Sequence, residues 1–295
     1  MAGSVNTNTG AQIALQNLNV TGSDLASVQK RISTGLKVSD AFDNGAVFAI
    51  AQGLRSDITA ISAVNGQLGG AKGLLSVTDA ALTGLSHTLQ DVRGVLIQLA
   101  DQNVTGNARV QLNAQFGTLV QSFFNYIKGA NYNGANLLLT NIPTGLTDIK
   151  QVIQDTNANQ LSLSADGTNS PNGLLGGIFT VATTDPAGYI ASVGPASFSD
   201  ATGASALLTS GFAQNEQYVN TALNAIGAQT HFIDNQLTFN NALSDATTVG
   251  LGSLVDADLA KESAKLQSLQ IKQQLGTQSL GIANQTPQSL LGLFR

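Results

Sequence analysis

From Val47 to Leu99 the apolar residues recur at steps that alternate three and four without a gap: Val47, Ile50, Leu54, Asp57, Ile61, Val64, Leu68, Ala71, Leu75, Thr78, Leu82, Leu85, Leu89, Val92, Leu96 and Leu99. Only Asp57 and Thr78 interrupt the series with polar side chains. This spacing predicts one helix, roughly 80 Å long at ~1.5 Å per residue, with a coiled-coil seam. More than seven heptads in phase suit a rod better than a helix of an ordinary globular bundle. Gly53, Gly66, Gly69, Gly70, Gly73, Gly84 and Gly94 fall within it, none on the seam. Each costs about 1 kcal/mol relative to alanine in a helix interior. The helix is therefore weak alone, and neighbouring helices are expected to approach closely at these positions.

Shorter seams flank the rod. Ala14, Leu18, Thr21, Leu25, Val28 and Ile32 precede it, and Leu112, Phe116, Leu119, Phe123 and Ile127 come after it. Residues 103–107 read as a turn between helices, and Asn133-Gly134 as a tight turn. Helical spacing returns at Phe212, Val219, Leu223, Ile226, Thr230, Ile233 and Leu237, then at Val255, Leu259, Glu262, Leu266 and Leu269. The last two seams are out of phase, which predicts a break or a stutter near Gly250–Gly252. Between the helical ends, residues 137–213 hold four of the five prolines and short β-type runs at Leu161–Ser164 and Ile178–Thr183. The pattern predicts a mainly α fold. Its N- and C-terminal regions form a long antiparallel helical coiled coil, with a small β-rich inserted outer domain. The chain closes on TPQSLLGLFR, which places Leu290, Leu291, Leu293 and Phe294 where most soluble chains fray.

Composition narrows the function. Charged residues make up 11% of the chain and the net charge is −5, which argues against a nucleic-acid partner. No apolar run reaches the ~18–20 residues of a membrane span. The start, MAGSVNTNTG, lacks the basic and apolar regions of a secretory signal. Cysteine is absent, which fits a cytosolic chain and equally one exported unfolded. His87 and His231 lie off the seams and are expected on exposed helix faces. No H-E-x-x-H, P-loop or G-x-S-x-G motif occurs. Asp256-Ala-Asp258 opens like a calcium loop, but Ala260 and Lys261 stand where an oxygen ligand and a glycine are needed. Asn19 and Asn103 begin N-glycosylation-type triplets of a kind common by chance. No cofactor, metal or catalytic role is expected.

Both ends resemble bacterial flagellin. The first match is LQNLNVTGSDLASVQKRISTGLKVSDAFDNGAVFAIAQGLRSD, residues 15–57. The second is LVDADLAKESAKLQSLQIKQQLGTQSLGIANQTPQSLLGLFR, residues 254–295, whose wording is especially like alphaproteobacterial members. The third is YNG at 132–134, where the family has FNG. The resemblance covers everything but the middle, with several motifs in order at each terminus. Two departures stand out. Ala41-Phe42 replaces the family's usual Ala-Lys, and Gly94-Val95-Leu96 replaces Glu-Leu-Ala between the matching Arg93 and Gln98. In many flagellins that second surface is read by the innate immune flagellin receptor; the substitutions argue against such recognition here.

The resemblance implies a structural subunit that polymerises into the extracellular filament. Residues 1–40 and 255–295 would form its inner tube, 41–136 and 214–254 its helical rod, and 137–213 a variable surface domain. Inner-tube packing would fall to Leu15, Leu18, Leu25, Val28, Ile32, Leu259, Leu266, Leu269, Leu275, Ile282, Leu290, Leu291, Leu293 and Phe294. The rod seam would use Ile61, Val64, Leu68, Leu75, Leu82, Leu85, Leu89, Val92 and Leu96, with Leu223, Ile226 and Ile233. Implied partners are many copies of the chain itself, an export chaperone on the C-terminal helix, the flagellar type III export apparatus, the filament cap and the hook-junction proteins, with room for O-linked glycans. Neither a nucleic acid nor a membrane is implied. The rival readings are a hook–filament junction protein, a secreted coiled-coil adhesin or effector anchored by its tail, and an enzyme in the middle zone. The rod and the DADLAKE motif count against the first. A last stretch of 20 residues with no lysine and only Arg295 counts against the second, and the lack of histidine or paired acids in the middle counts against the third.

Overall fold

Long runs without proline, with apolar residues every third or fourth position, make helix the dominant element. The computed structural model describes residues 8–138, 150–165 and 198–292, the side chains of 210, 211, 214 and 286–292 excepted. In order, the elements are α1 (Thr9–Thr34), α2 (Ala41–Leu99), α3 (Gly106–Gly129), β1 (Lys150–Ile153), β2 (Gln160–Leu163), α4 (Ala201–Ala206), a π-helical turn (Leu207–Phe212), α5 (Ala213–Val255) and α6 (Leu259–Gly292). The fold is mainly α, and among the described residues there is one small antiparallel two-stranded sheet, in which Lys150 pairs with Leu163 and Ile153 with Gln160. Packing divides the chain into two compact units, residues 1–59 with 244–295, and residues 60–243.

In the first unit α1 and α6 lie antiparallel. Asn8 Nδ2 donates to the Ala283 carbonyl at 2.7 Å. Leu18 packs where a Cβ on Gly276 would stand, 3.2 Å away. Arg31 Nη1 meets Glu262 Oε1 at 3.4 Å. Asn8 also caps α1, its side-chain oxygen accepting from Ala11 N–H. The helix ends at Gly35, whose φ of 72° is left-handed and whose N–H returns to the Arg31 carbonyl. Beyond it the chain is extended. Leu36 forms a bridge with Asp256, and Lys37 and Val38 N–H both donate to the Val255 carbonyl. Val38, Ala51 and Val255 form a small core around this crossing.

The second unit holds the larger core, from Val64 to Leu99 of α2, Phe116 to Ile127 of α3, Leu163 of β2 and Phe212 to Ile233 of the π turn and α5. α2 and α5 are antiparallel: Asn65 meets Asn241, Lys72 meets Asp234 and Arg93 meets Glu216. Thr78, a polar residue on the seam, is fully buried and satisfied by the Leu74 carbonyl at 2.8 Å. Asn113 of α3 grips the Phe198 backbone twice, accepting its N–H and donating to its carbonyl. That holds the Phe198 ring edge-on to Phe116, centroids 5.3 Å apart.

Several expectations need correction. Helix α5 runs unbroken through Gly250 and Gly252 to Val255. The break falls at 256–258, where the Val255 carbonyl is taken by Lys37 and Val38 and Asp258 begins a new N-terminus, accepting from Ala260 and Lys261 N–H. Before Ile61 the heptad series is only half kept: Val47 and Leu54 are half-buried, but Ile50 and Asp57 are exposed and Ala51 is buried instead. Ala51 turns inward because the Val38–Val255 core faces that side of the helix. In the middle zone β2 covers three of the four residues of the predicted run 161–164. Residues 201–212, also placed in that zone, are helical and lead directly into α5. The Ile178–Thr183 run lies outside the described residues.

The glycines of α2 divide into two kinds. A Cβ at Gly73 would come within 2.7 Å of the Tyr132 ring, and one at Gly84 within 2.6 Å of the Tyr126 ring. Gly84 thus seats a ring of the neighbouring helix α3, as the sequence predicted, while Gly73 seats a ring from the segment that follows α3. Gly53, Gly66, Gly69, Gly70 and Gly94 meet nothing within 4 Å.

Candidate assembly surface

In the first unit, pairing α1 with α6 buries only part of the apolar surface both helices carry. Val28 and Leu269 are buried, and Leu18, Leu25, Ile32 and Leu266 half-buried. Leu15, Leu259, Leu275 and Ile282 point away from the pairing face, between 48% and 68% exposed, and Ile13, Val20 and Ile271 are similarly open. The structure therefore splits the expected inner-tube residues into a set facing the partner helix of the same chain and a set facing outward. Leu290 and Leu291 are on α6, their side chains outside the described residues; Leu293 and Phe294 also lie outside them.

The start of α2 carries the densest charge cluster of this unit. Lys30 Nζ reaches Asp40 Oδ2 at 2.6 Å and Asp43 Oδ2 at 3.1 Å. The Asp43 carboxylate also accepts from the backbone N–H and the hydroxyl of Ser39, both at 2.9 Å. The Ser39 N–H, then its hydroxyl, then Lys30 hold Asp43 far below the usual carboxylate range. Asp40 is lowered chiefly by its bond to Lys30, and Lys30 is raised by Asp40 and then Asp43. Asn44, extended at φ −164°, ψ 103°, interrupts the helix here and caps its continuation by accepting from Val47 N–H. Beside this cluster Phe42 is 99% exposed, an aromatic ring in water where the resemblance predicts a lysine.

In the second unit the seam residues Ile61, Val64, Leu68, Leu75, Leu82, Leu85, Leu89, Val92, Leu96, Ile226 and Ile233 are all buried, and Leu223 is half-buried. Arg93 is largely exposed; its guanidinium lies 5.9 Å from the centre of the Phe212 ring and 3.9 Å from Glu216. Gln98 is exposed. Both histidines are exposed. Among the described residues no group of three or more His, Asp or Glu could hold a metal ion, and no helix is long and apolar enough to cross a membrane.

Sequence reasoning missed two polar features. Arg109, 9% exposed, donates to the carbonyls of Val104, Leu99 and Asp101 at 2.8, 3.0 and 3.1 Å. It closes the C-terminal end of α2, where unpaired carbonyls concentrate negative charge. An arginine two residues past a turn signal was its only trace in the sequence. The second feature is an amide cluster of Asn65, Gln236, Asn240 and Asn241 between α2 and α5, which left no trace beyond a polar residue amid apolar ones.

Known proteins carry the same organisation. Residues 5–142 match the bacterial flagellin N-terminal helical region, and residues 213–294 the C-terminal helical region. Flagellin FljM of Caulobacter vibrioides is 35% identical over 99% of this chain and 98% of its own length. Flagellin FljJ of the same organism is 36% identical over 100% of this chain and 99% of its own. A flagellin of Brucella melitensis is 35% identical, covering 99% of each. Heptad-bearing helices at both ends, apolar faces left open after those helices pair, and matches that run the full length of the chain have one common account: this chain belongs to the bacterial flagellin family and is a structural subunit of the flagellar filament.

Proposed function

We propose that the outward apolar faces of α1 and α6 are the surfaces through which successive copies join the filament. Residues 1–40 and 255–295 then form its inner tube, the helices of 41–136 and 214–254 its rod, and 137–213 its solvent-facing domain. The observation that supports this most directly is the open set Leu15, Leu259, Leu275 and Ile282. Fully burying one such side chain is worth about 1.5–3 kcal/mol. Burying their remaining half on four residues contributes roughly 3–6 kcal/mol per joining subunit. Contacts of one patch with a different patch on the next copy do not close, and so build an open helical filament.

On this reading the outward face of α6 is occupied before assembly by an export chaperone. The chain leaves through the flagellar type III apparatus, which suits a sequence without cysteine. It is then placed at the tip between cap and hook-junction proteins, with its serine and threonine hydroxyls open to O-linked glycans. Inner-tube packing by Leu290, Leu291, Leu293 and Phe294 belongs to the same proposal. The test is Leu275→Ser with Ile282→Ser, in cells and after purification. Because the substitutions also strip the chaperone face, export is expected to fall in cells, and seeded polymerisation of the purified variant, followed by sedimentation and negative-stain microscopy, is expected to fall at least tenfold. Filaments of normal length and number from this variant would overturn the assignment.

A further inference from the structure

Below Gly73 the pair α2–α5 loses the cover that Tyr126 and Tyr132 provide: Gly66, Gly69 and Gly70 meet nothing within 4 Å. Here Val64 and Leu68 share an apolar core with Ile233, and Leu237 packs against it; an apolar seam of heptads is close to degenerate when one helix slides along the other by a turn. A polar layer interrupts this stretch. Asn65 donates to Asn241 Oδ1 at 2.9 Å and accepts from Asn240 Nδ2 at 3.0 Å. Asn240, 4% exposed, accepts in turn from Gln236 Nε2 at 3.1 Å. One side chain of α2 thus uses both ends of its amide on two consecutive residues of α5.

We propose that Asn65, Asn240 and Asn241 fix the register of α2 against α5, which an apolar seam of heptads alone does not. A slip of one turn in either direction sets the Asn240 amide beside Ile61 or Leu68, where its donor loses Asn65 and finds no partner, while its acceptor keeps Gln236, which slides with it. The native register alone satisfies it. The exposed Lys72–Asp234 pair, with both side chains nearly half exposed, is too well solvated to do this work. A uniform register matters for a subunit that must present the same surface in every copy.

The chain has no cysteine, so paired spin labels can be placed at Ser62→Cys and Ala228→Cys, both exposed, and read by pulsed electron resonance in the full-length monomer. The two sites are about 24 Å apart along the helix axis, so that a slide along that axis appears almost fully in the distance. The parent is expected to give one narrow distance. Asn65→Leu with Asn240→Leu is expected to stay folded and to show a second resolved distance, displaced by about 5 Å, the rise of one helical turn. Asn65→Ala with Asn240→Ala, which adds no bulk, is expected to do the same. Val64→Ala, which weakens packing but leaves the amides in place, is expected to keep the single distance. One narrow distance at the parental position in whichever double variant is folded would overturn the proposal, as would a second distance in Val64→Ala.

Discussion

Replacing Arg109 with methionine tests whether a buried cation at a helix C-terminus holds the α2–α3 turn. Methionine keeps most of the aliphatic stem and removes the guanidinium with its three bonds to Leu99, Asp101 and Val104 carbonyls. Hydrogen bonds to a charged group are worth about 1.5–3 kcal/mol each, so three set an upper bound of roughly 4.5–9. Two effects reduce it. The guanidinium was itself desolvated, a cost the variant escapes. The Asp101–Asn103 turn is exposed, so the Asp101 carbonyl can turn to water. The Leu99 carbonyl cannot, because Leu99 is fully buried. The expected loss is about 2–4 kcal/mol, and a unit spanning residues 60–243 converts this to a fall in Tm of roughly 5–15 °C. Circular dichroism melts of the purified monomer measure it, with urea titration as the second reading. Arg109→Lys should recover only a minor part, since one ammonium cannot span three carbonyls as a planar fork does. A Tm within about 2 °C of the parent for Arg109→Met, or full recovery by lysine, would refute the reasoning.

Glycines of one helix should respond in opposite directions. Gly66→Ala, in open space, should stabilise the monomer by up to about 1 kcal/mol, whereas Gly84→Ala drives a methyl into the Tyr126 ring and should cost about 1–3 kcal/mol; paired melts decide, and equal shifts would remove the tyrosine-seat account. The Asp43 cluster gives a pH dependence. Its carboxyl is held below the ordinary value of 3.8, so its stabilising effect is present above that value and is lost as the pH falls through the lowered native one. Asp43→Asn should therefore melt below the parent at pH 7, and the gap should narrow in acid; a gap that widens on acidification contradicts the assignment. Opening the outward face, as in Leu275→Ser with Ile282→Ser, should leave the melt of the second unit unchanged while polymerisation is lost.

The seam from Ile61 to Leu99 could be read directly, because about eleven turns of apolar side chains at three- and four-residue steps have no favourable state but burial against another helix. The motifs at 15–57 and 254–295 likewise pointed to the family with no coordinates. The glycines did not mark the break. At about 1 kcal/mol each, Gly250 and Gly252 are tolerated inside a packed helix, and the chain breaks at 256–258 because Lys37 and Val38 compete for the Val255 carbonyl from more than 200 positions away. Ala51 rather than Ile50 turns inward for a related reason: the phase of the early part of α2 is set by Val38 and Val255 and not by its own periodicity. Arg109 and the Asn65–Asn240 layer were equally hidden, since a polar side chain gains a role only from the partner that folding brings to it. Periodicity determined which residues form helices and which of their faces are apolar; tertiary structure decided where those helices stop, how they align, and which apolar faces stay open on one chain. Burial of apolar surface is additive along a sequence, while hydrogen bonds between distant segments depend on geometry that exists only after the chain has folded.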